Sequence, residues 1–298
     1  MKTLVVGASG KIGKFIINSN NRNYILTYNK NKISGGIHFD ITKDNINSVL
    51  KKFPINKIVL LSAISDPEKC YINRHRSNMI NVIKTKKLID EIVKNKIYFI
   101  FFSSECVFCG KKGDYTEKSF LKPKNVYGYQ KYLIEKYIKK KTRNYAILRL
   151  AGIYGDRLND KTLISNFLSD LIKGRREFKI AIDQRFNPLY IKDLKKILAK
   201  FIKAEIKGLY NVGGNQKLSR YDCVQKIVEQ LETKNSSEII LNKTKLSNFK
   251  TLDKKVLNTT MNTNKLNKKI KIKMTKFENV AKKIILENKI NEKLSKRR

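Results

Sequence analysis

The stretch GASGKIG, residues 7–13, constrains the fold more than any other part of the chain. It comes after a short apolar run, residues 3–6, that reads as a buried strand. It opens a segment with Ile12, Phe15, Ile16 and Ser19 at helical spacing. Strand, glycine turn and helix in that order make a phosphate-binding turn. Gly7 permits the tight bend, Gly10 lets backbone approach a pyrophosphate, and Gly13 lets the helix pack against the sheet. The free N–H groups of the helix start suit anionic oxygens. Three glycines alone describe a plain turn just as well, so the reading depends on the rest of the chain.

Downstream of the turn, strands and helices alternate. YILTYN (24–29) and IHFDI (37–41) read as strands, and INSVLKKF as a short helix ending before Pro54. The run KIVLLSA (57–63) is continuously apolar, as a parallel strand covered on both faces should be. A helical stretch over 73–94, a strand at 97–104, a helix through VYGYQKYLIEKYIKK and, over 145–155, a strand running into a glycine loop complete the series. This is the signature of an α/β protein with a doubly wound parallel sheet. Residues 1–155 are expected to form that Rossmann unit. Residues 156–298 are expected to form a smaller cap, with some segments returning to the sheet. In that second part helices are expected at 161–173, 193–204 and 219–231, strands at 178–182, 187–191 and 208–212, and an amphipathic helix on Phe277, Val280, Ala281, Ile284 and Ile285. The polar tail KINEKLSKRR is expected to fray.

A formal net charge of +40 raises the question of nucleic acid. The lysines are spread over nearly every segment, and neither an RNA-recognition signature nor a Cys/His finger pattern is present. A biased composition explains the charge better, so no specific nucleic-acid partner is expected. A basic surface would also attract anionic small substrates. No apolar run approaches the roughly 18 residues of a membrane span. With no secretory signal recognisable at the start, a cytoplasmic location and no membrane partner are expected. Four scattered cysteines do not make a disulfide scaffold. Cys106 and Cys109 form a lone C-x-x-C, and His38 and His75 are not at ligand spacing, so no metal is expected.

Tyr127 and Lys131 stand four residues apart in NVYGYQK, on one helix face. A cation near a phenol favours the phenolate and lowers a pKa that is otherwise about 10. Such a pair works as a tuned proton donor, provided that it faces a reacting group. Ser104 ends the preceding strand, where a parallel sheet places its ligands. The second strand closes on TYNKNK, with Thr27, Tyr28 and Asn29 neutral and Lys30 and Lys32 after them. The acid that usually holds the ribose of NAD is missing there, which favours NADPH over NADH.

Taken together, GASGKIG, FDIT, SSECVFCG, NVYGYQK, RLAGIYG and QRFNPLYIKDL resemble the extended short-chain dehydrogenase/reductase superfamily, nearest to its dTDP-4-dehydrorhamnose reductase-like branch. SSECVFCG is similar to that group's Ser-Thr-Asp-Tyr-Val-Phe-Asp-Gly segment. The resemblance implies that Gly7, Gly10, Lys11, Ile12 and Gly13 line the pyrophosphate. It places Asp40 and Ile41 by the adenine and Ser62, Ala63 and Ile64 under the cofactor. It makes Ser104, Tyr127 and Lys131 the catalytic trio, with Ser104, Glu105 and Tyr127 touching substrate and Lys131 also holding the nicotinamide ribose. It further implies NADPH-dependent reduction of a nucleotide-linked 4-keto-6-deoxy sugar, as in dTDP-rhamnose biosynthesis, and a homodimer. Two other roles stay open: a non-catalytic NADP-binding regulatory subunit, and a sugar-nucleotide epimerase. Three positions depart from the group's pattern. Its Asp-Tyr is Glu105-Cys106, its Trp before Tyr-Gly aligns with Gly152, and its last Asp is Cys109. Arg157, Arg175, Arg176 and Arg185 are candidates for substrate phosphates, being suited to bidentate contacts. Asp193 reads as a helix N-cap, and Tyr154 and Gly155 as a loop under the nicotinamide.

Overall fold

The computed structural model describes residues 1–16 and 22–296; Ser19 lies outside them. The first half runs β1 (Lys2–Val6), α1 (Lys11–Ile16), β2 (Tyr24–Tyr28), β3 (Ile37–His38), α2 (Asn47–Leu50), β4 (Ile55–Leu60), α3 (Pro67–Ile72), α4 (Arg74–Asn78), α5 (Thr85–Lys94), β5 (Tyr98–Ser104), α6 (Val126–Lys141) and β6 (Tyr145–Leu150). The second half runs β7 (Ile153–Tyr154), α7 (Leu163–Ile172), β8 (Glu177–Ala181), β9 (Arg185–Phe186), β10 (Leu189–Tyr190), α8 (Ile191–Ala204), β11 (Gly208–Val212), β12 (Leu218–Ser219), α9 (Arg220–Val228), α10 (Thr233–Ser236), β13 (Ile240–Thr244), α11 (Asn264–Ile270), α12 (Phe277–Glu287) and α13 (Ile290–Ser295).

Seven of these strands form one parallel sheet in the order β11-β6-β5-β4-β1-β2-β3. Every residue of β5 and β6 is buried, because helices cover both faces. Alternate residues feed two separate cores. Val5, Val59, Ile100 and Leu148 point to one, and Leu4, Ile58, Phe99 and Ile147 to the other. The doubly wound parallel sheet read from the sequence is therefore present, and β11 returns from the second half to extend it.

Several boundaries differ from expectation for local reasons. The strand expected to run into a glycine loop within 145–155 ends at Leu150. The Ala151 N–H still donates to Val212, but the Gly152 carbonyl accepts from Leu189, so the chain changes partners and β7 pairs with β10. The helix expected over 73–94 has an earlier neighbour, α3, whose start is capped by Asp66 accepting from Glu68 and Lys69. A π-helical turn, Met79–Lys84, joins α4 to α5. Asp193 is not an N-cap. It lies inside the first turn of α8, buried, and its carboxylate accepts from the N–H (2.7 Å) and hydroxyl (3.1 Å) of Thr275. The tail expected to fray forms α13 as far as Ser295, because Ile290 and Leu294, one turn apart, are both buried. No helix among the described residues is long and apolar enough to cross a membrane.

Asp156 joins three elements of the second half. It accepts from Tyr190 Oη (2.7 Å) and Lys283 Nζ (3.2 Å) and pairs with Lys192. Burial works to raise its pKa, but the hydrogen bonds from Lys192, Tyr190 and Lys283 overcome this and hold it at about 2. A carboxylate depressed below its unfolded value of about 3.9 stabilises the fold fully above that pH and stops doing so as pH falls through about 2. Asp156→Asn is therefore expected to lower the melting temperature at pH 7. The gap to the parent should close on acidification toward pH 2, which melting curves across pH would reveal; a gap independent of pH contradicts it.

Candidate active site

The carboxyl ends of β1, β4, β5 and β6 open into a cavity of about 480 Å³. It straddles the point between β1 and β4 where strand order reverses, the ligand position of open parallel sheets. The glycine turn forms one wall: Gly7, Gly10, Lys11, Ile12 and Gly13 all line it. Gly7 sits at φ 87° and donates its N–H to Thr27 Oγ1 (3.0 Å). A Cβ at Gly13 would stand 2.3 Å from the Ala8 carbonyl oxygen, so only glycine lets α1 begin this close to the turn.

Ser104 stands at the opposite wall, where β5 ends. It starts a 3₁₀ turn, Glu105–Val107, and its hydroxyl accepts from the Cys106 N–H (3.2 Å). Tyr127 lies in the first turn of α6. That helix start is fixed twice: Asn125 Oδ1 accepts from the Gly128 N–H (2.7 Å), and Asp253 Oδ2 from the Val126 N–H (3.0 Å). A Cβ at Gly128 would stand 2.2 Å from the Cys106 carbonyl oxygen. The bare α-carbon lets α6 press against the turn after Ser104, and Tyr127 and Ser104 line the same cavity. Lys131 stands one turn further along. Its Nζ donates to the Phe102 carbonyl (2.7 Å) and lies 5.7 Å from the Tyr127 ring centroid. Ser104, Tyr127 and Lys131 thus share one cavity with the glycine turn.

The electrostatics differ from the expected tuning. Burial pushes the Tyr127 phenol up, with the Cys106 and Cys70 sulfurs adding to the rise, rather than Lys131 drawing it down. Burial also lowers Lys131, to about 8, although Cys70 and Glu135 work to raise it. The low-dielectric pocket penalises the charged form of each group. The phenol is consequently protonated at neutral pH, the state in which it can donate.

Glu105 also lines the cavity. Burial raises its carboxyl to about 7, against a hydrogen bond from Thr259, the charge of Arg220 and the Gly152 N–H. Its Oε2 is enclosed and without a partner among the described residues. Beside Gly152, where the resemblance would put a tryptophan, stands the Phe186 ring: a Cβ on Gly152 would be 3.0 Å from it. The Arg220 guanidinium lies 5.1 Å from the centroid of that ring.

Of the other expected residues, Ala63 lines the cavity, while Ser62 backs Gly7 from behind, its N within 2.8 Å of a Cβ built there. Ile64 is tied down by Asn81, not turned to the cavity wall. Asp40 and Ile41 do not line it. Asp40 Oδ1 accepts from the N–H (2.8 Å) and hydroxyl (2.7 Å) of Thr42, in the turn after β3. Ile41 borders a separate cavity with Lys84 and Lys87. Arg157 covers the Phe15 ring (4.9 Å) at the cavity's edge, whereas Arg175, Arg176 and Arg185 pair with Asp170, Glu238 and Asp222. Tyr154 is packed between Tyr190 and Phe277. Cys109 bonds Tyr115 (3.2 Å), and the described residues hold no group of three or more His, Cys, Asp or Glu able to bind a metal.

The sequence reading missed Asp160, Thr162 and Ile191, which close the cavity from the second half. Lys11 Nζ reaches that strap, donating to the Lys161 carbonyl (3.3 Å). Asp160 and Thr162 lie in a loop that no periodicity marks, and Ile191 is the first residue of α8; only the Asp160 to Thr162 turn, with the carboxylate accepting from the Thr162 N–H (3.0 Å), had a readable local signature.

The family model described as "RmlD substrate binding domain" matches residues 1–290. The chain belongs to that family. The resemblance read from the six motifs, to the extended short-chain dehydrogenase/reductase superfamily and its RmlD-like branch, is borne out. Among solved structures, a dTDP-4-dehydrorhamnose reductase from Clostridium acetobutylicum superposes with a TM-score of 0.82 at 22% identity, covering 97% of this chain and 100% of the other. One from Bacillus anthracis, in complex with NADP, gives 0.81 at 22% identity over 96% and 100%. Among curated sequences, methionine adenosyltransferase 2 subunit beta of Xenopus tropicalis is 23% identical over 232 residues, 74% of this chain and 69% of that protein.

Proposed function

We propose that this RmlD-family chain reduces the keto group of a nucleotide-linked 4-keto-6-deoxy sugar, using NADPH. The observation that carries the reading is the convergence of Ser104, Tyr127 and Lys131 on the cavity that the glycine turn opens into. The cavity's lining suits a dinucleotide: a Cβ on Gly10 would meet only the Gly7 carbonyl oxygen, at 3.3 Å, so the backbone at the start of α1 stays open to approach. Gly7, Gly10, Lys11, Ile12 and Gly13 would hold the pyrophosphate, Ala63 the floor, and Lys131 the nicotinamide ribose. When bound, the dihydronicotinamide supplies the hydride.

The chain's own residues do the rest. Ser104 Oγ hydrogen-bonds the carbonyl oxygen of the sugar and Tyr127 donates its phenolic proton there as negative charge develops. Lys131, as a cation, stabilises the phenolate left behind. Glu105 contacts the sugar beside the carbonyl. The relative that is a methionine adenosyltransferase subunit favours a second reading, an NADP-binding regulatory subunit, in which the trio is retained without turnover.

The deciding experiment measures NADPH oxidation against a panel of nucleotide 4-keto-6-deoxy sugars, dTDP-linked ones included. Turnover of one panel member is expected; none, together with tight NADPH binding, favours the regulatory reading. Cofactor preference is tested separately. Asn29 and the exposed Lys30 come after β2 with no acid between them, so NADPH is expected to bind more tightly than NADH in a fluorescence titration. A preference for NADH would overturn that expectation.

A further inference from the structure

A second cavity, of about 700 Å³, is walled by α1, α8 and α12, and shares one residue, Phe15, with the cavity of the candidate site. Its chemistry follows from the period of α8. Leu194, Ile197, Leu198 and Phe201 are buried, which turns Lys192, Lys195, Lys196 and Ala199 to the opposite face. Those four line the cavity, and the small alanine among them leaves room in it. Lys14 from α1, Arg157 from the loop after β7 and Lys283 from α12 complete the basic lining.

Carboxylates organise part of this charge without cancelling it. Asp156 is buried; it pairs with Lys192 and, at 3.2 Å, with Lys283, and so fixes where those two ammonium groups stand. Glu287 lies 3.5 Å from Lys283, and Asp193 3.4 Å from Lys196. Lys14, Arg157 and Lys195 pair with no carboxylate among the described residues. Lys14 and Lys195 are exposed, and the Arg157 guanidinium is held over the Phe15 ring, 4.9 Å from its centroid. Lysine is abundant throughout this chain, but dispersed lysines act singly. At about 0.15 M salt the screening length is about 8 Å, so only cations around one space act jointly on one ligand.

We propose that this cavity is a binding site for a polyphosphate, seated between Lys14, Arg157 and Lys195. Arginine meets phosphate oxygens through paired N–H groups and lysine meets them as a point charge. The three unpaired cations come from three different elements, so a chain of phosphates reaches more of them than a single phosphate does. The site is separate from the one assigned to the sugar reaction, and it needs neither turnover nor a bound dinucleotide.

The test is calorimetric titration of the full chain with tripolyphosphate at about 0.15 M salt. One equivalent is expected to bind saturably, and orthophosphate to bind at least tenfold more weakly. The double variant Lys14→Gln, Lys195→Gln should lose about tenfold in affinity, the worth of two solvent-facing charge contacts. Neither residue lines the first cavity. The control, Lys51→Gln with Lys52→Gln, removes the same charge from two exposed lysines after α2 and should stay within twofold of the parent. Repeating the titration with NADPH in excess should leave the affinity unchanged. The proposal is overturned if tripolyphosphate shows no saturable binding, if orthophosphate binds as tightly, or if the two double variants weaken binding equally. It is also overturned if excess NADPH displaces tripolyphosphate, since the glycine turn would then be the site.

Discussion

Tyr127→Phe is expected to lower turnover by about two to four orders of magnitude, the usual contribution of a positioned acid, while NADPH affinity stays nearly unchanged. Only one hydroxyl is lost, and it faces Ser104 inside the cavity, not the glycine turn. Lys131→Met should do more. It removes the cation that stabilises the phenolate, together with the donor to the Phe102 carbonyl, so cofactor affinity falls as well. The pH profile adds an independent handle. Lys131 titrates at about 8, so the cation is present below that pH and is lost above it. Parent turnover should decline as pH rises past about 8. A Tyr127→Phe enzyme as fast as the parent on an accepted keto-sugar would remove Tyr127 from the role of donor.

Glu135→Leu is expected to cost about 3–5 kcal/mol of stability, through the buried ion pair beneath the site. Glu135 and Arg149 are almost wholly inaccessible, with Nε (2.9 Å) and Nη2 (2.7 Å) of Arg149 donating to the two carboxylate oxygens. Ser103 Oγ donates to the same carboxylate (2.6 Å), and Lys139 Nζ lies 3.7 Å from it. Removing the carboxylate leaves a buried guanidinium with, among the described residues, the Glu117 carbonyl (3.4 Å) as its remaining acceptor. The double variant Glu135→Leu, Arg149→Met should recover most of the loss, because two apolar side chains of similar volume need no partners. Chemical denaturation of the two variants decides it. If the single change costs under about 1 kcal/mol, the pair is not what holds α6 to β5 and β6.

The parallel sheet was legible because its strands are fully covered. Runs such as YFIFF (98–102) and YAIL (145–148) are apolar without alternation, which is what burial on both faces requires. That Ser104, Tyr127 and Lys131 share a cavity was legible because a strand end and two positions one helical turn apart face the same side of a parallel sheet. Their titration was not, since it depends on how much water the surrounding side chains exclude, and spacing carries no record of that. Asp40 sits where the order of elements puts it, at the end of β3, yet its carboxylate satisfies the local turn through Thr42. Asn81 reads in the sequence as one polar residue in a helix; the extra residue of the π turn, which aims it inward, is a property of the hydrogen-bond register. The last helix was missed because Ile290 and Leu294 are two apolar positions in a polar decapeptide, too few to register as a face until α7 and α12 are packed against them.

The place of β11 in the sheet has a consequence for how the chain reaches its fold. Gly208–Val212 pairs in parallel with Tyr145–Leu150, so about sixty residues separate two adjacent strands. Until that late segment docks, the outer edge of β6 is an open row of backbone donors and acceptors on an apolar strand, the kind of edge that templates association with another copy. Closing it means ordering a long intervening loop before the pairing rewards it, which makes the step slow relative to the local β-α-β units. The sheet's last strand thus covers β6 and becomes the edge in its place, so conditions that delay its docking are expected to leave the fully apolar β6 exposed for longer.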